Sequence, residues 1–300
     1  MKARYVIIAA FSFLAMAACQ QIEPETLVPE TVPASSDSLF TLTVQASKGF
    51  GTKALWIDDS GATDVLKAYW NGSEAVTVFR NGTDAGTLGV TTPGSGEKPA
   101  TAKLTGTISV PDLTVGDHLL LMLPRDSWDY TGQNGSLATL ETTYDYATAT
   151  VTVSSIDGSD VTTEGTADFS NEQSVYRFDF KVNSALQAVK GFIVSSSQNK
   201  LVTSRSYSSG WNSAFGSLTV SISGDGSISP YMSLRNENIS ADDTYSFMVT
   251  GSDDALYTGT KLIPADKLGN GKFLAPSVTL TQPSFAPAAS GSVDDSAEVL

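Results

Sequence analysis

From Phe40 onward, apolar side chains recur at every second position, and stretches of that kind are separated by Asn-Gly and Asp-Gly pairs. That combination restricts the chain to β structure. Alternation with period two turns the apolar residues of a strand to one face, and Asn or Asp before Gly tolerates the positive φ of tight hairpins. Phe40, Leu42 and Val44 alternate with Thr41, Thr43 and Gln45, and residues 104–110 and 147–153 follow the same pattern. In residues 174–182, Tyr176, Phe178, Phe180 and Val182 share one face, opposite Val175, Arg177, Asp179 and Lys181. Residues 75–79, 218–222, 244–250 and 277–281 are further strand candidates. Turn pairs stand at Asn71 and Gly72, Asn81 and Gly82, Asn134 and Gly135, Asp157 and Gly158, and Asp225 and Gly226. Residues 118–123 are apolar apart from His118, which predicts a strand buried on both faces. The expected fold class is all-β, built as sandwiches of short strands and not as a parallel sheet wrapped in helices.

The N-terminus carries a different signal. Lys2 and Arg4 precede an apolar run over residues 5–15, shorter than the roughly 20 residues a membrane-spanning helix needs. Met16, Ala17 and Ala18 then lead into Cys19, the single cysteine of the chain. This is the form of a bacterial lipobox. Residues 1–18 read as a secretion signal and Cys19 as the lipidation site, which anchors the protein to a membrane without spanning it. Residues 19–39 are the lipidated linker, with Pro24, Pro29 and Pro33 among acids and little to pack. With no further cysteine, burial alone must hold the exported part together. Two β domains are expected, over residues 40–169 and 170–283, divided where the strand pattern is weakest. Residues 284–300 read as a mobile tail.

Charge narrows the partners. Without Lys2 and Arg4, 16 basic residues face 32 acidic ones, a net charge of −16. That leaves little for a basic patch, so nucleic acid is not expected as a partner. The chain offers few residues arranged for catalysis. The one histidine, His118, opens the most apolar strand and reads as a core-edge residue. There is no nucleophile elbow, phosphate loop or dinucleotide fingerprint, so no catalytic residue, cofactor or metal is assigned. The paired acids, such as Asp58 with Asp59 and Asp242 with Asp243, read as solvated turn residues. Trp56 and Trp70 fall beside strand patterns and read as core, whereas Trp128 and Trp211 read as loop residues able to stack on a sugar.

A lipobox cysteine, an acidic proline-containing linker, the strand 40–45 and then Gly51, Thr52, Lys53, Ala54 and Leu55 resemble the start of Bacteroidetes fimbrillins, the type V pilus subunits. Residues 74–79, 116–121, 130–137 and 146–149 continue the likeness in order. The resemblance implies two transthyretin-like β-sandwich domains and a structural, adhesive role in a surface fimbria, with other fimbrial subunits as partners. It further implies proteolytic processing near the first strand, for which Lys48 is the first candidate and Lys53 the second. No arginine lies between Cys19 and Arg80, a departure from the family's Arg-directed cleavage. The strand that would leave presents Phe40, Leu42 and Val44 inward, and an incoming strand would replace it by strand addition. The donor is expected from residues 277–281 with the tail as slack, or else those residues close the second domain. Asp37-Ser38-Leu39 and Asp295-Ser296-Ala297 resemble O-glycan acceptors of these bacteria, which marks Ser38 and Ser296. A surface glycan-binding lipoprotein, meeting a host or glycan ligand through Trp128 and Trp211, is the alternative reading.

Overall fold

The computed structural model describes residues 38–48, 56–58, 65–67, 69–94, 99–124 and 127–283. Its first ten strands are β1 (Leu39–Lys48), β2 (Trp56–Asp58), β3 (Val65–Lys67), β4 (Ala75–Arg80), β5 (Thr83–Thr91), β6 (Thr101–Ser109), β7 (His118–Leu123), β8 (Ser127–Asp129), β9 (Ala147–Asp157) and β10 (Asp160–Asn171). The one helix among the described residues is α1 (Leu137–Thr143), between β8 and β9. Six strands follow as β11 (Ser174–Arg177), β12 (Asp179–Val182), β13 (Ala185–Leu186), β14 (Val189–Ser196), β15 (Val202–Tyr207) and β16 (Trp211–Phe215). The last six are β17 (Leu218–Ser221), β18 (Tyr231–Leu234), β19 (Asp243–Gly251), β20 (Leu256–Ile263), β21 (Phe273–Leu274) and β22 (Ser277–Thr281).

The all-β expectation holds, and the turn chemistry explains much of the register. Asn81 and Gly82 take φ of 51° and 82°, the two positive values that a two-residue hairpin requires, and they join β4 to β5. The first half closes on itself. Its strands run β1-β10-β9-β7-β4-β5-β6, with β6 hydrogen-bonded back to β1 as a closed barrel. A closed ring leaves no unpaired edge. The second half is an open seven-stranded sheet, β13-β12-β22-β20-β19-β14-β17, with a three-stranded sheet β18-β11-β21 and another, β16-β15-β8.

Two main cores fill these sheets. The first gathers Leu42, Val44, Val76, Val78, Leu88, Leu104, Leu119, Leu121 and Phe169 inside the ring. The second is aromatic, with Phe178, Phe180, Phe192 and Phe247 in edge-on and stacked contact and Tyr245 tilted against Tyr176. β7 is the wall between them. Leu119, Leu121 and Leu123 point into the first core and Met122 into the second, which is why its sequence is apolar on both faces. Packing does not follow chain order, since Trp128, Tyr130 and Tyr146 sit in the second core although they precede residue 170.

Three local readings change. Residues 174–182 are two strands: the Phe178 N–H still donates to the Pro230 carbonyl at 3.0 Å, in register with β18, and the Asp179 N–H then turns to the Pro276 carbonyl at 3.1 Å as the chain passes from one sheet to another. Val175, assigned to the outward face, is buried against Leu140 and Tyr144 of a small third cluster. The region of weak pattern between the two halves is in part strand, since β10 runs to Asn171. Its pairing with β9 shifts register after Thr162 and again after Thr163, while Ala167, Phe169 and Asn171 keep the inward alternation to the end of the strand.

Candidate functional site

β1 follows directly from its sequence, alternating Phe40, Leu42, Val44 and Ala46 against Thr and Gln. The fold gives that strand partners on both sides. It runs antiparallel to β6, with Leu42 opposite Gly106 and Val44 opposite Leu104, and parallel to β10, with Leu42 opposite Val161. Leu42 and Val44 are 0% exposed and Ala46 1%, while Phe40 is half-buried. Burial of a Leu or Val side chain contributes about 1.5–3 kcal/mol, so Leu42 and Val44 tie the strand firmly. β1 is an interior member of the ring, with β6 on one side and β10 on the other. Removing it would expose two unpaired edges and an apolar trough together.

The last residue of β1 is the unexpected one. Lys48 has the look of a solvated turn residue, yet its side chain is fully enclosed. Its ammonium donates to the Tyr69 carbonyl at 2.7 Å and to Glu74 Oε1 at 2.9 Å, and it lies 3.8 Å from the centre of the Trp70 ring. Trp70 in turn stands edge-on to Phe169 at 5.4 Å, and Phe169 is the β10 residue opposite Lys48. A turn holds the carboxylate: the N–H groups of Asn71 and Gly72 donate to Glu74 at 2.9 and 2.8 Å. Gly72 takes φ +81° there. Burial pushes the Glu74 carboxyl upward, but the Lys48 charge and these hydrogen bonds outweigh it and hold its pKa below the ordinary value. The signal was present in the sequence, because Lys48 continues the inward series 40, 42, 44, 46.

A second cluster of charge ties the two cores. Glu172 Oε2 accepts from Arg205 Nη1 at 2.9 Å and from Arg235. Glu237 Oε1 lies 3.0 Å from Arg205 Nε and 2.8 Å from Arg235 Nε. The Arg205 guanidinium also covers the Trp211 ring at 3.7 Å. Burial raises the Glu237 carboxyl, but hydrogen bonds from Arg235 and Ser213 and the two arginine charges bring its pKa below the ordinary range.

That cluster removes the sugar-stacking platform. Trp128 and Trp211 are strand residues, in β8 and β16. Trp128 is 2% exposed and packs against Trp211 and Tyr146, and Arg205 lies over Trp211. Of the other expected positions, Trp70 is core as anticipated. His118 lies exposed on the outside of the ring with Nδ1 3.2 Å from Thr152 Oγ1. Ser38 is exposed immediately before β1. Cys19, Lys53 and Ser296 lie outside the described residues. Among the described residues no group of His, Cys, Asp and Glu gathers to hold a metal, and no helix is long and apolar enough to cross a membrane. Residues 277–281, considered as a donor, form β22, parallel to β12 and antiparallel to β20 with Val278 and Leu280 buried. They complete the second sheet of this chain.

Fold and site together define an all-β protein whose first strand is held between two others and locked at its end by a buried ion pair. No family model matches the sequence, and no curated protein does. Among solved structures, a protein from Bacteroides uniformis named a "putative cell adhesion protein" is similar with TM-score 0.42 and 14% identity, over 80% of this chain and 97% of that one. A protein of the same printed name from Bacteroides eggerthii gives TM-score 0.40 and 10% identity, over 81% and 86% of the two chains. A fimbrial assembly protein from Parabacteroides distasonis gives TM-score 0.36 and 11% identity, over 80% and 90%. At this level of likeness the functional reading rests on the chain's own residues.

Proposed function

We propose that this chain is a structural and adhesive subunit of a cell-surface fimbria. In this reading it is exported as a lipoprotein on Cys19, held at the outer membrane, and assembled with other fimbrial subunits when a partner's strand replaces β1. The observation that carries the reading is the double pairing of β1, with Leu42 and Val44 wholly buried between β6 and β10. A closed ring offers no edge to a neighbour. Taking out one strand creates two edges and an apolar trough, which main-chain hydrogen bonds and alternate side chains of an incoming strand can fill. The subunit is thereby inert until processed.

Processing falls after Lys48 or Lys53. Cutting after Lys48 requires that its side chain first be released from Glu74. Residues 40–169 and 170–283 serve as the two β domains, with residues 127–146 reaching from the first into the core of the second. Residues 284–300 are the tail, and Ser38 and Ser296 are the sites for O-glycans. The chain carries out no catalysis in this role.

Trimming the full protein after Lys48 or Lys53 and following its mass in solution tests the reading. The expected result is a trimmed protein that gains the mass of an added β1-type strand peptide, which the uncut protein does not take up. A trimmed protein that takes up no strand, its own β1 sequence included, excludes strand replacement. Cys19→Ala is expected to abolish lipid labelling, and labelled lipid entering that variant would overturn the anchor.

A further inference from the structure

We propose that the end of the β1 site is a cation socket that selects the strand entering it. The occupant is an extended segment of another protein carrying Lys or Arg at the position of Lys48, and not residues 273–300 of this chain. This inference rests on the strand-replacement reading above.

When β1 leaves, Lys48 leaves with it. The groups that surround its ammonium stay behind: the Glu74 carboxylate, the Tyr69 carbonyl 2.7 Å from Nζ, and the Trp70 ring face 3.8 Å away. Three features make this a built site and not a surface charge. The Glu74 side chain is only 4% exposed. Its oxygens are aimed by the Asn71 and Gly72 N–H groups, which belong to the turn and not to β1. Trp70 is 1% exposed and braced by Phe169, so its ring cannot swing away with the strand. Carboxylate, carbonyl oxygen and aromatic face all attract a cation. A neutral side chain in their midst leaves a buried anion without its counter-charge, the costly half of a broken buried pair.

The register adds to the selection. Ala46 lies opposite Ala102 on β6 and Ala167 on β10, all three buried. The inward pattern therefore reads apolar, apolar, small, basic toward the socket, spaced two residues apart, so each inward position advances about 6.6 Å along the trough. Residues 273–300 contain neither Lys nor Arg. They can supply alternation but no charge for Glu74, and β22 is already committed to β12 and β20. The geometry thus favours joining to a different subunit over end-to-end joining of identical copies through this tail.

The test uses the full chain with one engineered protease site inserted between Phe50 and Gly51, cut and then incubated with labelled peptides in mild denaturant. The peptides are residues 39–48 in native form, with Lys48→Arg and with Lys48→Met, and residues 273–283. Binding is read by fluorescence anisotropy. The native and Arg peptides are expected to bind within about threefold of each other, and the Met peptide on the order of 100-fold more weakly. In a Glu74→Gln chain the Lys-over-Met preference should fall below about tenfold. A Met peptide as tight as the native one overturns the socket and leaves strand replacement standing. Entry of the 273–283 peptide as tightly as the native one also overturns it. Failure of every peptide to enter, the native one included, overturns both the socket and strand replacement.

Discussion

Gly82 and Ser209 meet backbone to backbone: a Cβ on Gly82 would lie 2.3 Å from the Ser209 Cα. The β4–β5 turn of the ring is thus pressed against the turn between β15 and β16, beside the edge-on contact of Phe79 with Tyr207 at 5.3 Å. This contact holds the β4–β5 turn of the ring against the second half of the chain.

Gly82→Ala should therefore destabilise the protein twice over. Its φ of +82° is unfavourable for any side chain, at about 1–2 kcal/mol, and the clash with Ser209 adds about 1–3 kcal/mol. Gly158→Ala is the control, since Gly158 has φ +59° and open space around it. Urea midpoints of the two variants separate the cost of backbone strain from that of the contact, and equal losses would dismiss the contact.

The Glu172 cluster predicts a strong effect from a small change. Glu172 serves Arg205 and Arg235 through one oxygen and Thr148 through the other at 2.7 Å. Glu172→Gln keeps the shape but leaves two largely buried guanidinium groups short of charge, a loss of about 3–5 kcal/mol. Denaturation followed by tryptophan fluorescence is the measurement, because Trp128 and Trp211 adjoin Arg205. A loss under about 1 kcal/mol, typical of an exposed pair, would contradict the burial.

Lys48 should resist a lysine-specific protease in the native protein. Cleavage there requires local opening, and its rate follows the population of the open form. Glu74→Gln removes the charge that holds Lys48 and should speed cutting after Lys48 on the order of 100-fold. Cutting after an exposed turn lysine such as Lys267, whose side chain is 58% exposed, should be unaffected. N-terminal sequencing of timed digests reads both, and equal rates in the two proteins would show that the pair does not hold the strand.

Stability should also fall with acid in a defined direction. Glu74 and Glu237 both have folded pKa values below the ordinary glutamate value. Their contribution is complete above the unfolded pKa and is lost as pH falls through the depressed folded value. Denaturant midpoints measured from about pH 7 down to about pH 3 should decline over that acid window. Glu74→Gln should flatten part of the decline, and an unchanged slope would show that Glu74 is not stabilised as a carboxylate.

Much of this protein is determined locally by its sequence. Alternation marks β1, β9 and β19, and the Asn-Gly and Asp-Gly pairs mark turns whose glycines all take positive φ. Even α1 left a trace, in Leu137, Leu140 and Tyr144 at helical spacing on one packed face. These signals are legible because strand period, hairpin geometry and helical spacing each involve residues a few positions apart. Tertiary structure alone decided which strands are neighbours. It closed β6 onto β1, so that β1 became an interior strand and not an edge, and it placed Glu74 against Lys48. It also gathered Glu172, Arg205, Arg235 and Glu237 from three separate strands and loops, and so buried Trp128 and covered Trp211. Each of these depends on contacts between residues far apart in the chain. A covered tryptophan has the same local sequence as an exposed one, and only the partner brought to it by the fold tells them apart.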